Sequence, residues 1–204
     1  MKKIIVSWVL GQLLMLSGLC FAQQAPHRLG GFVLGDDIAK YSEKLKTDTC
    51  IPIRHMECIS EVETQPVEGF KSGLIYYGSC TGQKQIIRIK LKYENPSEKF
   101  YNELLGRFKK RFGEPDEWKG DPFHIVVAWK WYFTDKDKNK ISLILQHNTK
   151  DEEEKKGNSV KLTLTSLMEA ERRCFRQKKA ASDKGKQQRR NRSEAVSWEK
   201  LIPR

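Results

Sequence analysis

Four cysteines, Cys50, Cys58, Cys80 and Cys174, are the residues of this chain best suited to covalent chemistry. A fifth, Cys20, sits in an apolar N-terminal run. Cysteine can bind a metal, act as a nucleophile or form half of a disulfide. Zinc sites need ligands at close spacing, and the chain offers no C-x-x-C and no histidine pair beside its cysteines. A Cys–His nucleophile is conceivable from Cys50 or Cys58 with His55, which lies between them. In an oxidising compartment an even set of cysteines favours bridges instead. Sequence leaves three connectivities open; the expectation adopted is Cys50 with Cys58 and Cys80 with Cys174. The first pair requires a turn between Ile51 and Glu57. A straight strand would hold those α-carbons about 26 Å apart, against the roughly 7 Å that a bridge allows.

Other chemistry-bearing patterns are incomplete. Asp135-x-Asp137-x-Asn139 opens like a calcium loop, but Lys140 stands where that loop needs glycine and Gln146 where it needs glutamate. It reads as an exposed hairpin turn. Ser197-Trp198-Glu199-Lys200 fits S-x-x-K without the partner motifs of that nucleophile. Glu57, Glu61 and Glu63 could supply a general acid and base, although carboxylates at this spacing also suit a solvated strand. His27 and His147 lack metal-ligand spacing. No G-x-S-x-G, H-E-x-x-H, phosphate loop or dinucleotide fingerprint occurs. The expectation is a non-catalytic binding or interaction domain with no cofactor and no metal site. The alternative is a small envelope hydrolase working through carboxylates that the sequence does not single out.

Binding chemistry is better represented, by cations. Arg88, Lys90 and Lys92 alternate with Ile87, Ile89, Leu91 and Tyr93, which makes a half-buried strand with a cationic outer face. Trp129, Trp131 and Phe133 alternate with Ala128, Lys130 and Tyr132. The aromatic set reads as core. Lys130 and Tyr132 would join Arg88, Lys90 and Lys92 in one outer binding face if the two strands lie close. A second basic feature is C-terminal. The formal charge of +12 is concentrated from Glu171 onward, where 12 Lys/Arg face 4 Asp/Glu, and the body is nearly neutral. Arg189, Arg190 and Arg192 head this run, with Lys178, Lys179, Lys184 and Lys186 before them and an apolar tip at Val196, Trp198, Leu201 and Ile202. Such a tail attracts anionic surfaces such as phospholipid or lipopolysaccharide head groups, or acidic proteins. Outside the cytosol nucleic acid is the weaker candidate, and any membrane contact would be peripheral, through the tail.

Residues 1–22 have the order of a secretory leader: Lys2-Lys3, an apolar run from Ile4 to Phe21, and small side chains at Cys20 and Ala22 before a polar stretch. An uncleaved anchor is the rival, since the run approaches the ~20 residues of a membrane span. A lipoprotein reading through Cys20 is disfavoured by Leu19 before it. The expected location is therefore periplasmic or secreted, with a flexible segment 23–28, one domain over 29–180 and a disordered basic tail over 181–204.

Within the domain, Asp36 should cap a helix carrying Ile38, Tyr41 and Leu45 on one face. Residues 57–80 read as extended segments. Asn95, Pro96 and Glu98 should open a second helix, with Phe100, Leu104, Phe108 and Phe112 as its apolar stripe and Gly113 and Pro115 as its stop. Strands at 127–133, 141–147 and 160–164 form a meander, and a last helix starts near Ser166. The fold class that follows is α+β, an antiparallel sheet with helices packed on one face, in two successive helix-plus-strands halves.

Residues 107–115 (Arg-Phe-Lys-Lys-Arg-Phe-Gly-Glu-Pro), the Trp129/Trp131 strand, Ile141–His147 and Lys161–Leu167 together resemble an uncharacterised family of bacterial secreted proteins with a domain of unknown function. The likeness covers roughly residues 29–175. It implies a leader and a small α+β domain, and no activity or site residue.

Overall fold

The computed structural model describes residues 25–149 and 156–194. Residues 1–22, expected to form a leader, lie outside it, as do 195–204 with the S-x-x-K segment and the apolar tip. The architecture is α+β, as the alternation of patterns implied. A hairpin of β1 (Arg28–Leu29) and β2 (Phe32–Val33) leads into a 3-10 helix, Ile38–Lys44. Four strands follow: β3 (Leu45–Ile53), β4 (Met56–Thr64), β5 (Phe70–Gly78) and β6 (Ile86–Tyr93). Then come α1 (Glu98–Phe112), β7 (Glu117–Trp118), β8 (Val126–Thr134), β9 (Lys140–Asn148), β10 (Gly157–Leu164) and α2 (Thr165–Glu194). The eight-stranded antiparallel sheet has the order β3-β4-β5-β6-β10-β9-β8-β7. Each half is thus a helix followed by a four-strand meander. The halves join through their last strands, with Leu91 opposite Val160 and Ile89 opposite Leu162.

One face of the sheet is apolar and carries the main core. Ile89, Leu91, Val160, Leu162, Leu145 and Trp131 are buried there against the 3-10 helix and α1. Tyr101 of α1 is buried, and Leu104, Leu105, Phe108 and Phe112 pack beside it. The Trp131 indole fixes the end of α1 by donating to the Gly113 carbonyl at 2.9 Å. Gly113 itself has φ 74° and ψ −171°, a backbone conformation open to glycine and closed to side-chain-bearing residues.

Four expectations need correction. The first helix is a short 3-10 segment capped by Asp37, not Asp36. Ile38 and Tyr41 are three residues apart and eclipse on a three-residue turn, whereas Leu45 already opens β3. Asp36 instead takes the Tyr41 hydroxyl at 2.8 Å and the Lys40 ammonium at 3.1 Å. The cap of α1 is Ser97, which accepts from the Phe100 N–H; Asn95 accepts from the Ser97 N–H in a turn before it. The segment before the domain is ordered from Ala25, which packs on the core, and the His27 ring lies 3.4 Å from Asp135.

The helices do not share one face. Met168 of α2 packs with Ile59 and Ile87 on the side of the sheet away from α1. A bulge brings this about: Tyr76 faces Arg88 but Tyr77 faces Ile86, so Ile87 is left over and turns to the other side. The helix α2 itself spans Thr165–Glu194. From Arg176 to Lys184 every side chain is exposed, so this stretch is helical through its Lys, Gln, Arg and Ala content without packing on the sheet.

Candidate functional site

The face of the sheet opposite α1 is covered at one end by α2 and is open elsewhere. The antiparallel register lays its side chains out in rows. One row reads Glu63, Leu74, Lys90, Lys161, Ile144 and Lys130 across β4, β5, β6, β10, β9 and β8. The next row toward α2 contains Tyr76, Arg88, Thr163, Ser142 and Tyr132. The row on the other side contains Ser72, Lys92, Ser159, Gln146 and Ala128. The middle of this surface is a concavity of about 1020 Å³, lined among others by Leu74, Arg88, Lys90, Lys92, Ile144 and Lys161. Among the described residues none of its lining side chains is a carboxylate.

The sequence-derived cations Arg88, Lys90 and Lys92 therefore share the concavity. Lys130 stands two strands away from Lys161 in the same row, just outside the lining. Tyr132 also points to this face but lies further out. Its hydroxyl donates to Glu117 at 2.6 Å, and the Lys130 ammonium sits 4.2 Å from its ring centroid. Arg189, Arg190 and Arg192 fall on the last turns of α2, and their side chains lie outside the described residues.

Lys161 is the residue the sequence reading missed. It directly faces Lys90 on the neighbouring strand, so two like charges oppose each other at the centre of the sheet. Burial, reinforced by Arg88, Lys90 and Lys130, pulls its pKa down to about 8. Burial likewise lowers that of Arg88, whose guanidinium lies 5.2 Å from the Tyr76 ring centroid and donates to Thr163 Oγ1 at 3.1 Å. Tyr76 is pushed up to about 12 by burial and by its hydrogen bond to Glu61. Among the described residues no carboxylate pairs with Lys90 or Lys161, while Glu63 is taken by Lys46 and Glu117 by Lys119 and Lys130. The arrangement concentrates positive charge over an apolar floor of Leu74 and Ile144. Its first chemical capacity is to hold an anion. Its second is proton transfer by Lys161, an amine that is partly neutral near its own pKa of about 8.

The cysteines lie at a different corner. Cys80 and Cys174 are bridged, with α-carbons 6.0 Å apart, as expected. Cys50 and Cys58 are free thiols, so the second expected bridge is absent. The chain does turn between them, but the hairpin register opposes Pro52 to Ser60 and Ile53 to Met56. That leaves Cys50 further along β3, with its sulfur 2.9 Å from the Tyr77 hydroxyl. Glu171 of α2 is fully buried beside the bridge. Its carboxylate accepts from the Cys80 N–H at 2.8 Å, the Thr81 N–H at 3.2 Å and the Thr81 hydroxyl. Cys58, Cys80 and Glu171 converge closely enough to suggest a metal. With Cys80 in a disulfide and both Glu171 oxygens accepting hydrogen bonds, the donors are already engaged. The Asp135 carboxylate is similarly occupied, by the Asp137 and Asn139 N–H groups and the Asn139 side chain, as a turn requires.

Among the described residues no helix is long and apolar enough to cross a membrane. No family model, curated protein or solved structure matches the chain.

Proposed function

We propose that this chain is an exported, non-catalytic binding domain that takes an anionic ligand on the open sheet face centred on Lys90 and Lys161. The carrying observation is the direct opposition of these two lysines in a concavity that no carboxylate lines among the described residues. Like charges facing each other across strands work against folding. An incoming anion removes that repulsion, so the ligand gains what the empty face gives up. Export rests on the leader-like residues 1–22, and the Cys80–Cys174 bridge agrees with an oxidising compartment. An anionic component of the cell envelope is then the partner within reach, and the basic C-terminal helix adds long-range attraction to the same class of surface.

Titrating the mature protein with inorganic polyphosphate at low ionic strength tests the face against the tail. Lys161→Glu should weaken binding by about tenfold or more, since it reverses the central charge. Truncation after Ala180 should reduce it less. Loss of binding on truncation, with Lys161→Glu unchanged, would assign the anion to the tail and remove the face from consideration. N-terminal sequencing of the exported form should give Gln23; an intact Lys2 there would replace the leader with an anchor.

A further inference from the structure

A free thiol lies against the disulfide that ties α2 to the sheet. The Cys58 sulfur, the Cys80 sulfur and a Glu171 carboxylate oxygen all lie within 4.8 Å of one another, and Cys80 is bonded to Cys174. Three sulfurs thus meet at one corner. We propose that Cys58, Cys80 and Cys174 form an intramolecular thiol–disulfide exchange site, in which the Cys80–Cys174 bridge converts reversibly into a Cys58–Cys80 bridge. This inference is independent of the anion-binding reading.

The backbone brings Cys58 and Cys80 close together. Ile59 on β4 pairs with Gly78 on β5, and the Ser79 N–H and hydroxyl both donate to the Cys58 carbonyl, at 2.9 and 3.1 Å. Cys58 therefore stands near the start of β4, and Cys80 follows two residues after the end of the neighbouring strand β5, so a Cys58–Cys80 bridge would join adjacent strands. In the exchange, Cys58 gives up its proton to solvent and the thiolate attacks the Cys80 sulfur. A Cys58–Cys80 bond forms, the Cys80–Cys174 bond breaks, and Cys174 leaves as a thiolate that is then protonated. One thiol and one disulfide stand on each side, so no oxidant or reductant is consumed.

The two bridges do different things. Cys80–Cys174 spans 94 residues and fastens α2 across the sheet. Cys58–Cys80 would join β4 to the end of β5 and leave α2 held by noncovalent contacts, among them Leu167, Met168, the Glu171 hydrogen bonds and the Lys178 ammonium on the Cys80 carbonyl. Reactivity is restrained in the resting state. Burial, and then the Glu171 carboxylate, push the Cys58 thiol up, while Lys178 acts in the opposite direction. Attack should therefore be slow at neutral pH and quicken as the thiol ionises.

The test uses the wild-type mature chain, purified without reductant and incubated at a series of pH values with a trace of glutathione. Acid quenching, alkylation and non-reducing peptide mapping then read the bridges. The expected result is a Cys58–Cys80 peptide accompanied by alkylated Cys174, its initial rate of appearance rising by about tenfold per pH unit until the thiol titrates. Cys58→Ser should yield Cys80–Cys174 alone. Cys174→Ser, oxidised with glutathione disulfide, should yield Cys58–Cys80. Wild-type protein that keeps Cys80–Cys174 as its sole bridge at every pH would overturn the proposal. So would a Cys174→Ser chain that pairs Cys80 with Cys50 or glutathione in place of Cys58. The wild-type arm does not depend on a variant folding.

Discussion

The two faces of the large sheet differ by a single step along each strand. On the α1 side, Val62, Ile75, Ile89, Leu162, Leu143 and Trp131 form one row across six strands, and each is at most 3% exposed. One residue further along, the same strands present Glu63, Leu74, Lys90, Lys161, Ile144 and Lys130. Folding requires the first row, because burying those side chains drives the sheet onto its helices. Folding does not require the second row and is opposed by its central pair. That cost in stability is the ground on which we propose a ligand for the outer face.

The sharpest way to test that contrast is to remove one large residue from the first row. Trp131→Ala deletes a side chain that is 1% exposed, packs on Phe108 with ring centroids 5.8 Å apart, and holds the end of α1 through Gly113. The expected loss is about 3–5 kcal/mol in denaturant unfolding. Lys130→Ala, its sequence neighbour on the other face, should stay within about 0.5 kcal/mol of wild type. Equal losses from both would show that the outer face is also part of the stabilising core.

A smaller effect is expected at the corner where α2 crosses to the outer face. A Cβ at Gly78 would fall on the Glu171 side chain, which is buried and held by Cys80 and Thr81. Gly78→Ala should therefore lift α2 and destabilise by about 1–3 kcal/mol. It should also speed alkylation of Cys58, whose thiol faces Glu171. An unchanged melting temperature with unchanged thiol reactivity would mean that Glu171 swings aside freely, and that the helix does not depend on this contact.

Period-two alternation made the rows legible on β6, β8, β9 and β10, while β4 and β5 read only as extended segments. It assigned Arg88, Lys90 and Lys92 to an outer face, and the same rule applied to Val160, Leu162 and Leu164 would have put Lys161 there too. What alternation cannot supply is strand order. Lys161 becomes important only because β10 lies directly beside β6, a non-local pairing that no local pattern encodes. β3 was missed for a related reason. Its residues 46–50 are polar and half or fully exposed, and an edge strand with register shifts between Lys46 and Ile51 carries little alternation. The bulge that turns Ile87 outward is equally silent in sequence, since Ile86 and Ile87 look interchangeable. It explains why α2 was placed on the wrong face. The Cys80–Cys174 bridge was legible because Cys174 follows Leu167 and Ala170 at helical spacing. Cys50–Cys58 failed because nearness along the chain does not fix register.

The smallest effect, and the most telling for the outer face, is a gain. Lys161→Met keeps the aliphatic stem over Ile144 and removes the charge that opposes Lys90. It should stabilise the protein by roughly 0.5–1 kcal/mol at neutral pH, the scale of a like-charge pair across strands. The sign of its pH dependence follows from a folded-state pKa of about 8 against 10.5 for a free lysine. Below about pH 8 both folded and unfolded chains carry the proton, so the wild-type protein bears the full burden of a charged, half-buried amine. Between about 8 and 10.5 the unfolded chain binds more protons than the folded one, and wild-type stability rises with pH. The advantage of Lys161→Met should therefore be greatest below pH 8 and fade across that window, as thermal melts at stepped pH would show. Polyphosphate affinity should fall in the same variant, because the anion loses its central partner. A Lys161→Met protein that melts lower than wild type at neutral pH would mean that the ammonium is stabilised within the empty fold, and the outer face would then need no ligand to account for it.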